Sequence, residues 1–190
     1  MPSNEYALRP IGRIRTPHET VSDNVPIQGR MAPLSEGAVE LFPEYAAGAC
    51  DLEGFSHVFL LYRFHLGTDE RLTVVPYMDT VPRGVFSTRF PHRPNRIGVT
   101  LVEVLGVDGT TVRVRGVDMV DGTPLLDIKP YVPRFDAVEN AASVRTGWMT
   151  PYVNGGKEPD VVRTSSEADW LRERRSPGIV RRRILSNCGE

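Results

Sequence analysis

Glycine and proline punctuate this chain so often that long helices have almost nowhere to form. Most of its 16 prolines and 17 glycines fall within residues 1–160. Proline inside a helix removes a hydrogen bond and clashes with the preceding turn, and glycine there costs backbone entropy. The stretches left between them are short and rich in β-branched and aromatic residues, which suits strands. Strands are expected at about 6–15, 37–42, 57–65, 71–77, 84–89, 97–107, 111–119 and 125–131. In Thr111–Val117, Val112 and Val114 alternate with Arg113 and Arg115, the pattern of a half-buried strand. Asp108-Gly109 supplies a turn just before it, so 97–107 and 111–119 should pair as a hairpin. His57–Tyr62 is apolar without alternation and suggests a strand covered on both faces. Many short strands with closely spaced turns favour a closed or nearly closed barrel, which also leaves no exposed edge. The expected fold is mainly β, a single compact barrel.

After Phe135 the texture changes. Residues 137–165 are polar and loop-like, and Ser166-Glu167-Ala168-Asp169 opens a short helix through Arg175, capped by Ser166 and ended by Pro177-Gly178. The division is a barrel domain at 1–136 and a C-terminal extension of loop and helix at 137–190. Six arginines cluster between Arg172 and Arg183 and could sit on phosphates or form a solvated helix face. The whole chain, at a net charge of −1, carries no bulk basicity. It shows no secretory start and no apolar run near the ~18 residues a membrane helix needs. Cys50 and Cys188 do not make a disulfide framework, and Cys50, after Ala-Ala-Gly-Ala, reads as a small buried residue. A cytoplasmic protein is expected.

Several chemistries are excluded by their missing motifs. There is no Gly-x-Gly-x-x-Gly turn, no phosphate-binding loop, no His-Glu-x-x-His, no Cys-x-x-Cys and no Gly-x-Ser-x-Gly elbow. The histidines His18, His57, His65 and His92 have no compact ligand spacing, and no metal is expected.

Three polar segments interrupt the apolar ones. Gly84–Gly98 packs Arg89, Arg93, Arg96, His92 and Asn95 between prolines, a rigid loop suited either to fixing an anionic ligand or to pairing its arginines with nearby acids. In Val117–Tyr131, Asp121-Gly122-Thr123-Pro124 is a turn by its chemistry. Asp127 and Lys129 fall on one strand face, as an ion pair or as part of a site. Val25–Gly29 reads as a loop.

These segments, in this order, resemble the TsaA/TrmO-like family. The resemblance runs from about Ile11 to Asp136. It is carried by Ile11-Gly12-Arg13-Ile14, Leu52-Glu53-Gly54-Phe55-Ser56-His57, Phe64-His65, Gly84–Arg89, Arg93-Pro94-Asn95, Ile97-Gly98, and Asp121-Gly122-Thr123-Pro124 through Lys129-Pro130-Tyr131. It implies a β-barrel homodimer that binds S-adenosylmethionine without a Rossmann fold and N6-methylates threonylcarbamoyladenosine 37 of tRNA. The cofactor-contacting positions it implies are Pro26, Ile27, Gln28, Phe64, His65, Arg89, Val99, Leu101, Gly122, Thr123, Pro124 and Leu125. Arg89 would hold the methionine carboxylate with its forked donors. Phe64 would pack on the adenine or the sulfonium. His65, Asp121 and Asp127 are the residues able to accept the proton that an attacking amine must lose.

The chain departs from the family pattern at Ile27, often basic, at Arg96, often proline, and after Asp136, where no larger tRNA-holding domain is recognisable. Two other readings stay open beside tRNA methylation: a methyltransferase of the same barrel acting on a small molecule, and a barrel that binds S-adenosylmethionine without turnover.

Overall fold

The computed structural model describes residues 6–21, 25–67 and 69–153. Six strands close into an antiparallel barrel: β1 (Gly12–Arg15), β2 (Glu36–Leu41), β3 (His57–Arg63), β6 (Ile97–Asp108), β7 (Thr111–Arg115) and β8 (Thr123–Pro130). Their order around the barrel is β1-β2-β7-β6-β3-β8, with β8 closing onto β1. Two short strands, β4 (Thr73–Val74) and β5 (Arg83–Gly84), pair separately in the long segment between β3 and β6.

The barrel fills itself by alternation. Val58, Leu60 and Tyr62 of β3 point inward to meet Ile14, Val39, Val102, Val112, Val114 and Leu125. Near-complete burial of such side chains is worth roughly 1.5–3 kcal/mol each. The expected hairpin forms, with Asp108 opposite Thr111 and Gly109 at a φ of 57° opening the two-residue turn. Its register shifts between Val104 and Gly106. At Gly98 a side chain is excluded, because a Cβ there would lie 2.3 Å from the ring of Tyr62.

Six expectations change. Residues 84–89 do not extend as a strand, since Val85–Ser87 forms a 3-10 turn. Ser87 Oγ donates to the Gly84 carbonyl and Thr88 Oγ1 to that of Val85, so local side-chain bonds replace a ladder. The strand expected over 6–15 begins at Gly12, two residues after Pro10, and that over 71–77 shrinks to the two residues before Val75-Pro76. The 111–119 strand ends at Arg115, because Gly116 turns the chain with a φ of 93°. The outer face of β3 is half-buried rather than covered, with Phe59 edge-on to Tyr131 at 5.7 Å. Cys50 is exposed, because the Pro43–Ala49 3-10 segment turns Ala49 inward instead.

Beyond the barrel lie two single turns of helix, α1 (Pro133–Asp136) and α2 (Thr150–Val153). Trp148, just before α2, donates from Nε1 to the Ser87 carbonyl at 2.8 Å, and the Arg83 guanidinium lies 5.5 Å from its ring centre. The extension therefore returns to the loop that carries Arg89. The helix expected at 166–175, its arginines and Cys188 lie outside the described residues. No helix among the described residues is long and apolar enough to cross a membrane.

Candidate functional site

The barrel has a polar mouth where β3 and β7 end, β6 and β8 begin, and the 25–31 and 85–96 loops meet. Its residues form a continuous chain of contacts. Arg89 donates from Nη1 to Gln28 Oε1 at 2.7 Å, and Gln28 Nε2 donates to the Ile27 carbonyl at 2.7 Å, which fixes the amide's orientation. The next residue, Gly29, donates its backbone N–H to Asp118 Oδ2 at 2.7 Å. Thr100 Oγ1 donates to Asp118 Oδ1 at 2.6 Å, and the Tyr62 hydroxyl lies 3.1 Å from Thr100 Oγ1. Thr100 has one proton, so with it committed to the carboxylate Tyr62 is the donor in that pair. Tyr62 meets Phe64 edge-to-face at 5.4 Å, and His65 Nδ1 lies 3.5 Å from Thr123 Oγ1.

Glycine makes the seating of the 25–31 loop possible. A Cβ on Gly29 would lie 2.1 Å from the Gly116 carbonyl oxygen, so the two backbones touch where only glycine fits.

Electrostatics at the mouth follow from burial. The Asp118 carboxyl is pushed above the ordinary carboxylate range by burial, against the opposing pull of its hydrogen bonds and of Arg89. Burial, then the nearby Asp118, raises Tyr62 strongly, so its phenol stays protonated. Burial lowers His65, favouring the neutral imidazole. Thr123 Oγ1 gives its proton to the Val120 carbonyl at 2.6 Å, so toward His65 it can only accept. In the matching tautomer Nδ1 carries the proton and Nε2 keeps a free lone pair.

Among the described residues the three loop arginines do not pair with acids. Arg89 reaches Gln28, Arg93 reaches the Thr88 carbonyl at 3.2 Å, and Arg96 reaches the Gly67 carbonyl. None of the three makes a salt bridge there, so within the described residues the loop's positive charge is not neutralised by a direct ion pair. Arg96 holds a φ of 51°, a conformation closed to the proline often found there in the family.

Of the residues singled out from the sequence, Gln28, Phe64, His65, Arg89 and Thr123 join the mouth. Pro26 and Ile27 lie half-buried in the adjoining loop, and Gly122 and Pro124 flank Thr123 at the start of β8. Leu125 is fully buried inside the barrel. Val99 and Leu101 alternate with inward Thr100 and face outward on β6. Asp121 is engaged in fixing a turn: it accepts from the Thr16 N–H at 3.0 Å and from Arg15 at 3.2 Å. Asp127 pairs with Lys129 at 2.9 Å and borders a cleft with Ile11, Leu41 and Glu44. It lies four residues along β8 from Thr123, ~13 Å of strand. Thr100, between Val99 and Leu101, and Asp118, in the Val117–Tyr131 segment, were legible only as parts of those stretches, and Tyr62 only as a strand residue. The available signal was an acid between two apolar neighbours, Val117 and Met119, both of which prove buried.

A closed antiparallel barrel with an arginine-bearing mouth is the architecture of a TrmO-like domain, not of a doubly wound α/β sheet. The family of the tRNA-methyltransferase O N-terminal domain matches residues 13–137, and the chain belongs to it. The probable S-adenosyl-L-methionine-binding protein of Pyrococcus abyssi is 50% identical over 146 residues, 77% of each chain. The crystal structure of TrmO from Pseudomonas aeruginosa superposes with a TM-score of 0.62 at 38% identity, over 76% of this chain. This chain spans 62% of that protein's length. A mouse tRNA (adenine(37)-N6)-methyltransferase is 48% identical over 92 residues, 47% of this chain and 21% of the mouse protein.

Proposed function

We propose that this chain is an S-adenosylmethionine-dependent methyltransferase that methylates N6 of adenosine 37 in tRNA, on the threonylcarbamoylated base. Family membership and the names of its relatives support the cofactor and the reaction class. The mouse protein's name supports the tRNA adenine as acceptor. The observation that carries the reading is Arg89, a guanidinium braced by a neutral glutamine and paired with no acid among the described residues.

The residues at the mouth fit the cofactor's chemistry. Arg89 offers its remaining donors to a carboxylate, and Phe64, edge-on to Tyr62, offers an aromatic surface to an adenine or a cationic sulfur. When bound, S-adenosylmethionine supplies an electrophilic methyl group. The chain's own contribution is to hold both partners in line, which can account for most of the rate without a covalent intermediate. His65 accepts the proton that N6 gives up as its bond to carbon forms. Its neutral state and free Nε2 suit that role better than Asp121 or Asp127, each held by a basic partner.

Val99 and Leu101 face outward, so a cofactor touching them as well as Arg89 reaches over the rim. A second copy of the chain against the β3–β6 wall would enclose it, making the active form a homodimer. The C-terminal arginines would add charge for an RNA backbone.

The test is calorimetric titration of S-adenosylmethionine into wild type and Arg89→Ala, followed by transfer of a labelled methyl group to tRNA. The variant should bind at least ~10-fold more weakly, about 1.4 kcal/mol. Equal affinity removes Arg89 from the site. The Pyrococcus relative's name favours a second reading, a barrel that binds without turnover. Binding without label in tRNA would establish that reading, unless a small-molecule acceptor takes the label.

A further inference from the structure

We infer that Asp118 is a positioning residue for the Gln28–Arg89 clamp, acting through the backbone of Gly29 and anchored in turn by Thr100 and Tyr62. The inference rests on the reading that Arg89 binds the carboxylate of S-adenosylmethionine.

Arg89 is exposed and sits on a loop, so its direction must come from a partner. That partner is Gln28, whose own amide is oriented by the Ile27 carbonyl. Gln28 is only as well placed as the loop bearing it, and one part-buried bond between Gly29 N and Asp118 pins that loop to the barrel. The Gly29–Gly116 approach lets the loop sit close enough for that bond. Asp118 is held from its other side by Thr100, and Thr100 by Tyr62, whose ring is wedged against Gly98. The barrel's rigid wall thus reaches Arg89 through four hydrogen bonds in series.

A half-buried carboxylate is a costly anchor, and a neutral residue could have accepted from Gly29 at lower cost. The ionised form has one advantage here: it accepts from both Gly29 and Thr100, with charge-assisted bonds that hold their geometry tightly.

A plain structural role would cost stability and weaken every ligand alike. Positioning of Arg89 instead affects only ligands that carry the carboxylate. The test therefore measures, by calorimetry, the affinities of S-adenosylmethionine and of decarboxylated S-adenosylmethionine. They are compared in wild type, Arg89→Ala, Asp118→Asn, Thr100→Val and Thr100→Ser, with thermal midpoints recorded alongside.

Wild type should prefer the carboxylate form, and Arg89→Ala should abolish that preference. Asp118→Asn and Thr100→Val should each lower it by roughly 5-fold or more, a typical size for a coupling between sites. Thr100→Ser, which keeps the hydroxyl, should restore it. In an Arg89→Ala background, Asp118→Asn should have no further effect on the preference. If wild type shows no preference, or Arg89→Ala keeps it, the reading of Arg89 fails. If wild type and Arg89→Ala behave as expected while Thr100→Val retains the full preference, the positioning role alone is overturned. Should Asp118→Asn fail to fold, the Thr100 pair decides the matter by itself.

Discussion

Two titrating side chains at the mouth respond to burial in opposite senses, and each sense has a consequence. His65 is held below its ordinary value by burial. Its neutral form therefore persists below the usual imidazole pKa of ~6.5. If it takes the proton from the acceptor amine, kcat should fall on acidification with a midpoint below that value. In His65→Gln, kcat should fall by roughly 10²-fold or more and the acid limb should disappear. A pH–rate profile with an unchanged acid limb in the variant would assign the proton elsewhere. Asp118 is raised, so its folded state holds a proton more tightly than the unfolded chain does. The stability this provides is complete below the unfolded carboxylate value of ~3.9 and is lost as pH rises through the raised folded value. Asp118→Asn removes that titration. Melting temperatures measured from pH 4 to 8 should show wild type losing ground to the variant as pH rises. The opposite trend would mean that Asp118's hydrogen bonds outweigh its burial.

At the scale of elements, the 25–31 loop is the part of the site most dependent on one atom's absence. Gly29→Ala places a methyl group 2.1 Å from the Gly116 carbonyl, backbone against backbone, where nothing flexible can yield. The loop should lift, breaking the bond to Asp118 and costing about 1–3 kcal/mol, as overpacking does. Denaturant melts should register that loss, and cofactor affinity should fall with it. An unaltered affinity would separate the loop from the site. The strands were legible because their alternation is a local signal: Val112 and Val114 against Arg113 and Arg115 needed no partner to be read. The mouth was not, because its chain joins Gln28, Tyr62, Arg89, Thr100 and Asp118 across segments far apart in sequence. Arg89 stood out among prolines and Asp118 did not. An acid between two apolar neighbours, here Val117 and Met119, looks the same whether it ends in water or under a loop. The 85–87 segment misled for a different reason, since Ser87 and Thr88 have strand-forming neighbours yet spend their hydroxyls on the chain just behind them.

For the whole molecule, closure removes the edges of the six barrel strands, so another copy can add to the barrel only through a face. One face is suited to this. On the wall formed by β3 and β6, Phe59 stands opposite Leu101, Leu61 opposite Val99 and Arg63 opposite Ile97, all with outward side chains. Val99 is 46% exposed and Ile97 38%. Within this strip Phe59 packs edge-on to Tyr131, but Val99 and Ile97 stay exposed, and exposed apolar patches of this kind mark association sites. A two-fold pair would bury the strip against itself, with Asp127 and Lys129 of the neighbouring β8 at its border. Leu61→Arg sets two like charges at the centre of that contact while leaving the barrel interior unchanged. The variant should keep its stability in dilute solution to within the ~0.5 kcal/mol typical of a substitution on an outer surface. Sedimentation should then show a dimer for wild type and a monomer for the variant, and the monomer should bind S-adenosylmethionine less well because Val99 and Leu101 no longer lie beneath a partner. A variant that stays dimeric would move the contact to another surface. A monomeric variant with full affinity would show that each barrel completes its site alone.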